Sequence, residues 1–458
     1  MYCPSCCRYS AIHAVIYDKN WYLTMGCQYF EPERGGAESY TVAMPKFTFG
    51  RGCLKEVGER AAGLGMKRVA LFTDSYLQST EYFATASDSL QSSGIAFDVF
   101  SDIRIEPDDD TICQAAKFLK QGRFDGVISL GGGSVMDTAK ASMVYALYPA
   151  EFSTYFGPPV GPGTAVPGPL LPHLACPTTS GTGSECTSVS VIRISRFNTK
   201  FVMGSPHLLP DEALVDPAVC DTLPAKVVAS TGFDLLCHAL ECYTAKAYTK
   251  WEKVDNPLAR TMLQGANPWS DMAARKALEI AGEYLVRGVA DQTDHQARDA
   301  LMWGASLAGM AFGNSGTHLA HAMSYGITHL MDNITTEGYT MESPFIPHGI
   351  SVVISAPAIF RYLGEGAPER HLQAAGFLAA DCLDAGSEDA GEVVATRLIE
   401  LMQNTQMPNG LNAVGFGSDD IQALARSSIR QTRAIHNAPK VANLTDMESI
   451  YAGALSYW

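Results

Sequence analysis

The sequence predicts an α/β half followed by an all-α half. Between Phe47 and about Asp216, short β-branched runs alternate with helical stretches, the pattern of a parallel sheet covered on both faces. Past Asp216, long Ala/Leu/Met-rich helical stretches dominate and strand patterns nearly vanish. A chain of 458 residues is long enough for more than one core, and 47% hydrophobic with 18% charged content is a globular composition.

We divide the chain into an N-terminal extension (1–41), an α/β domain (42–218) and a helical domain (219–458). In the α/β domain, Val69–Thr73, Ile95–Phe100 and Val127–Leu130 read as strands, with Leu174–Cys176 a further apolar run. Helices are expected near Cys53–Ala62, Tyr76–Ser92, Thr111–Gly122 and Ser134–Tyr145. A Pro/Gly-rich loop covers Phe156 to Pro172, and Val189–Ile194 with Lys200–Met203 reads as a hairpin. In the helical domain the stretches fall near Ala225–Lys246, Ser270–Arg287, Gln296–Phe312, Ile350–Tyr362, His371–Leu383 and Glu392–Gln403.

A formal net charge of −15 without a dense Lys/Arg run argues against nucleic acid or an anionic membrane as partner. No apolar stretch reaches the length of a membrane span. Twelve scattered cysteines suggest reduced thiols, hence a cytoplasmic setting, or the mitochondrial matrix in a eukaryote. Cys3 and Cys6 form a Cys-x-x-Cys, but no second pair follows to complete a zinc ribbon. Residues 1–24 lack the patterns of a transit or secretory peptide, and organisation begins just after Met25, the expected start.

Gly131-Gly132-Gly133-Ser134 lies between a strand and a helix, where backbone N–H groups and a helix N-terminus favour phosphate. Ser134 and Asp137 also fit a capping box, a purely structural account of both. Asp74, at a strand end, could bond a ribose hydroxyl or start the next helix. Thr178, Thr179 and Ser184 lie in a second Gly-rich turn and can donate to phosphate or shape the turn. Asp234 and His238 are one helical turn apart on one face, so a carboxylate and an imidazole can share a divalent cation. His321 and His348 are candidates to complete a tetrahedral set. The plainer alternative is a locally paired Asp234 and a core His238.

Together these segments resemble a family. Gly-Gly-Gly-Ser-x-x-Asp-x-Ala-Lys (131–140), Pro-Thr-Thr-x-Gly-Thr-Gly-Ser-Glu (177–185), Asp-x3-His-x2-Glu (234–241), His-Ala-Met (321–323) and Pro-His-Gly (347–349) occur in that order. From about Phe47 onward the chain resembles the iron-dependent (group III) alcohol dehydrogenases. Within them it is most similar to the hydroxyacid–oxoacid transhydrogenase subgroup. That finer likeness rests on Asn256-Pro257-Leu258-Ala259-Arg260, on Gln264-Gly265-Ala266-Asn267-Pro268, and on the stretch from Phe312 to Tyr325.

The resemblance implies a Rossmann-like dinucleotide-binding domain and an all-α domain, the two-domain plan of dehydroquinate synthase, with the site in the cleft between them. It implies Asp234, His238, His321 and His348 as ligands of Fe(2+), with Zn or another divalent metal as alternative. It implies NAD contacts at Asp74, Gly132, Gly133, Ser134, Asp137, Thr178, Thr179 and Lys200. Many family members carry a second histidine one turn after His321, where this chain has Tyr325. The stretch from His321 to His348 is long, with a polar loop at Asp332–Glu342. An expected Asn-Pro is replaced by Asp108-Asp109, so no cofactor contact is assigned there.

The implied reaction moves a hydride from a hydroxyacid such as 4-hydroxybutyrate to resident NAD, then on to a 2-oxoacid such as 2-oxoglutarate. Both substrates are anions, so a cation is expected near the cleft, and Arg260 is the candidate. Tyr325 and His318 are candidates for the proton path, His318 lying close to the helical face of His321. The alternatives are an NAD(P)-dependent alcohol dehydrogenase with dissociable cofactor, a sugar-phosphate cyclase, and a non-catalytic assembly subunit. Family members commonly self-associate, which implies a homo-oligomer.

Overall fold

The computed structural model describes Tyr29 and residues 32–197, 199–257, 260–331 and 345–458. The expectations for residues 1–24, the Asp332–Glu342 loop, and Leu258 and Ala259 lie outside the described residues.

Six strands form one sheet: β1 (Lys46–Phe49), β2 (Arg68–Phe72), β3 (Ala96–Phe100), β4 (Gly126–Gly131), β5 (His173–Pro177) and, after a separate hairpin of β6 (Val189–Ile194) and β7 (Thr199–Gly204), β8 (Glu212–Val215). Their order is β1-β8-β5-β4-β2-β3, and every pair is parallel. The central strands read as unbroken apolar runs because helices cover both faces: Val69 to Phe72 are fully buried. The expected strands are found, but β1 and β8 were not foreseen. Lys46–Phe49 is mostly half-exposed at the sheet edge, and β8 is only four residues long.

The helices of this half are α1 (Val57–Gly63), α2 (Glu81–Ser92), α3 (Asp109–Gly122) and α4 (Gly133–Leu147). Asp108 caps α3, accepting from the Thr111 backbone N–H at 2.8 Å, so the Asp-Asp pair has a structural use. β3 lies on one side of β2 and β4 on the other. That reversal opens a crevice beyond the carboxyl ends of β2 and β4, where open α/β sheets bind ligands. The register sets Phe72 opposite Ser129 and Gly131 opposite Pro177. Asp74, Gly132 to Ser134 and Thr178 to Ser184 therefore leave the sheet at one edge.

The second half is helical. Its core helices are α5 (Ala225–Thr244), α6 (Pro268–Ala290), α7 (His295–Ser315), α8 (Leu319–Leu330), α9 (His348–Val353) and α10 (Ala356–Leu363). α5 is buried along nearly its whole length, which is why its sequence is apolar on every side. Asn267 and Ser270 cap α6 reciprocally, with Pro268 in the first turn. The bounds of α8 were not foreseen, though a helical face is expected at His321, and the expected Ile350–Tyr362 helix is two, broken at Ser355 where Pro357 starts the second.

The segment before β1 straps onto the helical half. The Tyr248 hydroxyl donates to the Tyr29 carbonyl (2.6 Å), Thr41 N–H to Gln264 (2.9 Å) and Ala43 N–H to Asn314 (2.9 Å). The Tyr29 hydroxyl donates to Asp271, which Arg370 grips through two nitrogens at 2.6 and 3.0 Å. Both partners of that ion pair are nearly buried, so deleting one leaves an uncompensated charge. Asp271→Ala is expected to lower unfolding free energy by about 3–5 kcal/mol in denaturant titrations; a loss below about 1 kcal/mol, the level of an exposed pair, would contradict the buried-pair account.

Candidate active site

α5 contributes Asp234 and His238, α8 contributes His321, and α9 opens on His348. The ligating atoms of Asp234, His238 and His321 all lie within 4.8 Å of one another. Asp234 Oδ1 stands 3.6 Å from His238 Nδ1, from His321 Nε2 and from His348 Nε2. His348 completes the ring from the more open side, with 31% of its side chain exposed against 3–6% for the others. Close packing puts it there: a Cβ on Gly349 would sit 1.8 Å from the Ser230 carbonyl oxygen of α5.

The donor set fits a cation. Asp234 Oδ1, His238 Nδ1 and His321 Nε2 are buried and have no hydrogen-bond partner among the described residues. Buried polar atoms are ordinarily paired, so three orphans facing one point call for a shared partner. Separations of 3.6 Å are too long for hydrogen bonds and close to the ~3.4 Å edge of a tetrahedron with ~2.1 Å bonds. One carboxylate with three imidazoles is a borderline nitrogen/oxygen set suited to Fe, Zn, Co, Ni or Mn.

Electrostatics agree. Burial alone would raise the Asp234 carboxyl, but His238, His348 and His321 hold it well below the usual range. Burial lowers His238 to about 4 and pushes His348 well down. Burial opposes charge on His321 too, yet Glu241 and Asp234 raise it to about 9. The His238 ring stacks on Phe312 (4.1 Å between centroids) and against His321 (4.3 Å).

Glu241 is fully buried one turn beyond His238. Its Oε1 accepts the backbone N–H groups of His318, Ala320 and His321 at 3.1, 2.7 and 3.1 Å, and Oε2 faces His321 Nδ1. The sequence motif contained this residue but gave it no task; its place on the same helical face as the ligands was the available signal.

The glycine-rich turns at the sheet's carboxyl edge pack against the helices that carry and flank this cluster. The second Gly-rich turn touches α5 and α7: Ser180 reaches Thr231 (3.4 Å), Ser306 donates to Glu185 (2.6 Å), and a Cβ on Gly183 (φ 58°) would meet Gly309 Cα at 2.5 Å. Gly132 and Gly133 pack under Thr179 and Thr182, so the two turns adjoin at the α4 N-terminus. Thr178 N–H donates to the Gly131 carbonyl at 3.1 Å. The capping-box alternative is not what forms. Gly132 is the N-cap, Ser134 Oγ accepts from Glu106 N–H (3.2 Å), and Asp137 turns inward to Ser184 Oγ (2.8 Å) and Val191 N–H (2.9 Å). Asp74 accepts from Leu77 N–H at 2.9 Å, its helix-starting role, with its other oxygen in no such bond.

Lys200 pairs with Glu106 at 2.7 Å, and its Nζ stands 5.5 Å over the Tyr325 ring, which lies 6.4 Å from the His348 ring. Burial pushes the Tyr325 phenol upward, so it keeps its proton. His318 is not on the face of α8. It precedes the helix, accepts the Leu319 N–H on Nδ1 (2.7 Å) and meets Thr244 Oγ1 through Nε2 (2.9 Å), in full burial. Arg260 donates to the Thr41 and Ser39 hydroxyls, both at 2.9 Å, on the N-terminal strap. The structure thus gathers the four metal candidates with Tyr325 and Lys200, and leaves Arg260 on the N-terminal strap.

A sheet crevice opening onto a buried carboxylate–imidazole cluster defines the class of two-domain, metal- and nucleotide-dependent oxidoreductases. The chain belongs to the iron-containing alcohol dehydrogenase family: the family model of that name matches residues 45–217, and that of its C-terminal domain residues 261–455. Among curated relatives, the mitochondrial hydroxyacid-oxoacid transhydrogenase of Mus musculus is 39% identical over 422 residues, 92% of this chain and 91% of that protein. Among solved structures, a 1,3-propanediol oxidoreductase is 26% identical with a TM-score of 0.79, covering 91% of this chain and all of that one. A sulfoacetaldehyde reductase from Bifidobacterium kashiwanohense, solved with NAD+, is 25% identical with a TM-score of 0.74, covering 91% of this chain and 99% of that one. No helix among the described residues is long and apolar enough to cross a membrane.

His321 gives the pH dependence its sign. Its value of about 9 makes it charged at neutral pH in metal-free protein, while His238 is neutral and Asp234 ionised. Cation uptake at pH 7 should therefore release about one proton, seen as a buffer-dependent enthalpy in calorimetry, with affinity falling as pH falls. Uptake without proton release would contradict it. In the metal-free protein, the stability from the raised His321 is fully present below 6.5 and is lost as pH rises through about 9.

Proposed function

We propose that the protein is a hydroxyacid–oxoacid transhydrogenase. It would move hydride between a hydroxyacid resembling 4-hydroxybutyrate and a 2-oxoacid resembling 2-oxoglutarate through tightly held NAD, with Fe(2+) as the metal. The observation that carries this reading is the convergence of Asp234, His238, His321 and His348 beside the paired glycine-rich turns. The transhydrogenase named above supports the substrate class through its identity over nearly the whole chain.

When bound, the divalent cation supplies Lewis acidity at the reacting oxygen and NAD supplies the hydride acceptor and donor. The chain's own residues do the rest. Asp234 and the three imidazoles would hold the cation, their mixed charge leaving it net positive. Gly132, Gly133, Ser134 and the α4 N-terminus, with Thr178 and Thr179, would hold pyrophosphate; the free oxygen of Asp74 would take a ribose hydroxyl. Asp137, bonded to Ser184 and Val191, fixes the shape of the glycine-rich pocket.

Phe312 walls the cluster from water. The protonated Tyr325 hydroxyl, on a residue one turn from His321, would hold or pass a proton in this reading. Sealed His318 supports the start of α8. Lys200, between Glu106 and Tyr325, would receive a substrate carboxylate or the cofactor in this reading. Arg260 was the sequence's candidate for that task, and its bonds to Ser39 and Thr41 favour Lys200 instead. The reading includes a homo-oligomer that is cytoplasmic or, in a eukaryote, in the mitochondrial matrix, the latter supported by the mitochondrial relative, checked by light scattering and cell fractionation.

Anaerobically purified protein should contain Fe(2+), release NAD(H) on denaturation, and make 2-hydroxyglutarate from 4-hydroxybutyrate and 2-oxoglutarate without added nucleotide. Turnover that needs added NAD and no oxoacid would mark an ordinary dehydrogenase; neither activity in metal-replete protein would reject the reading. Lys200→Ala should raise KM for both acids about 10- to 100-fold, the ~1.5–3 kcal/mol of a charge-assisted bond. Arg260→Ala should change KM less than about twofold, as for an exposed polar contact. The reverse ranking would restore Arg260.

A further inference from the structure

We propose that Glu241 is a positioning residue that holds the proton of His321 on Nδ1, so that Nε2 offers its lone pair beside Asp234. This rests on the metal reading above. A neutral imidazole has one protonated nitrogen and one free, and only the free one can ligate. His321 Nε2 faces Asp234 at 3.6 Å and has no hydrogen-bond partner among the described residues, while Nδ1 faces Glu241 Oε2. A carboxylate can only accept, so Nδ1 must carry the proton.

The other oxygen makes the arrangement rigid. Glu241 Oε1 accepts three backbone N–H groups at the start of α8, so the carboxyl cannot rotate without abandoning them in a fully buried position. One side chain of α5 thereby fixes both where α8 begins and which nitrogen of His321 meets the cation. His318, whose Nδ1 lies 3.3 Å from Oε1, accepts the Leu319 N–H and does not compete for Oε2.

Glu241→Gln separates this role from simple capping. Three converging N–H donors admit only an oxygen, so the new amide must place its carbonyl there and its NH2 toward His321. The amide then donates to Nδ1, moving the ring proton to Nε2, where it blocks ligation. Size, burial and the three capping bonds are retained.

The test uses full-length protein stripped by chelator and titrated with Co(II). Glu241→Gln should still unfold in one cooperative transition in the metal-free state, with the stability linked to charged His321 reduced, bind Co(II) about 10- to 100-fold more weakly, and lose intensity in the visible Co(II) bands. Wild-type affinity and spectrum in a folded Glu241→Gln would overturn the inference alone. Wild-type protein that takes up no Co(II) would overturn the metal reading and this inference with it. Should Glu241→Gln not fold, nitrogen NMR of zinc-loaded, 15N-histidine-labelled wild type decides: the His321 signals, identified by their loss in His321→Ala, should show a proton on Nδ1 and ligation through Nε2. Ligation through Nδ1 would overturn the inference.

Discussion

The structure depends on how it neutralises one buried carboxylate. Asp234 is 2% exposed, and its inward oxygen has no hydrogen-bond donor. Leaving an ion in that state costs several kcal/mol unless a countercharge is supplied. What faces the oxygen is three imidazole nitrogens, each too distant to bond it and each close enough to share a cation with it. Without a cation the same charge is balanced by protonating His321, so proton and metal compete for one point. The arrangement favours a bound ion over any purely structural use of these residues.

Both halves of the chain are built to deliver partners to that point. α5 supplies rigidity, buried along nearly all its length, and carries Asp234, His238 and Glu241 on one face. Glycine lets other segments approach closely enough: Gly349 seats α9 against Ser230, and Gly183 seats the second glycine-rich turn against α7. The parallel sheet aims its glycine-rich turns at the same place because β3 and β4 diverge on either side of β2. The N-terminal strap adds a tie from outside, bonding through Ala43 to Asn314 at the end of α7, just before α8 begins.

Much of this was legible in the sequence, because the motifs combine residues whose chemistry and spacing are both restrictive. The central strands declared themselves by continuous β-branched runs, and α5 by an apolar run with a carboxylate and an imidazole one turn apart. Edge strand β1 and its buried neighbour β8 did not, since each is only four residues long and β1 is also largely exposed. α8 was obscured by its Gly-, Ser- and His-rich approach, and its start is set by a distant residue, Glu241, which local propensity cannot reveal. Ser134 and Asp137 had capping-box spacing, yet the N-cap lies two residues earlier at Gly132, and Asp137 turns toward Ser184. Arg260 illustrates the converse limit: charge and position in a distinctive segment do not say which way a side chain points, and its hydroxyl partners on the strap are more than two hundred residues away in sequence.

The most direct test of the central claim is anomalous diffraction at the iron absorption edge from crystals of protein loaded anaerobically with Fe(II). The account predicts a single strong peak enclosed by Asp234, His238, His321 and His348. A peak elsewhere, or none in crystals shown by elemental analysis to contain iron, would contradict it.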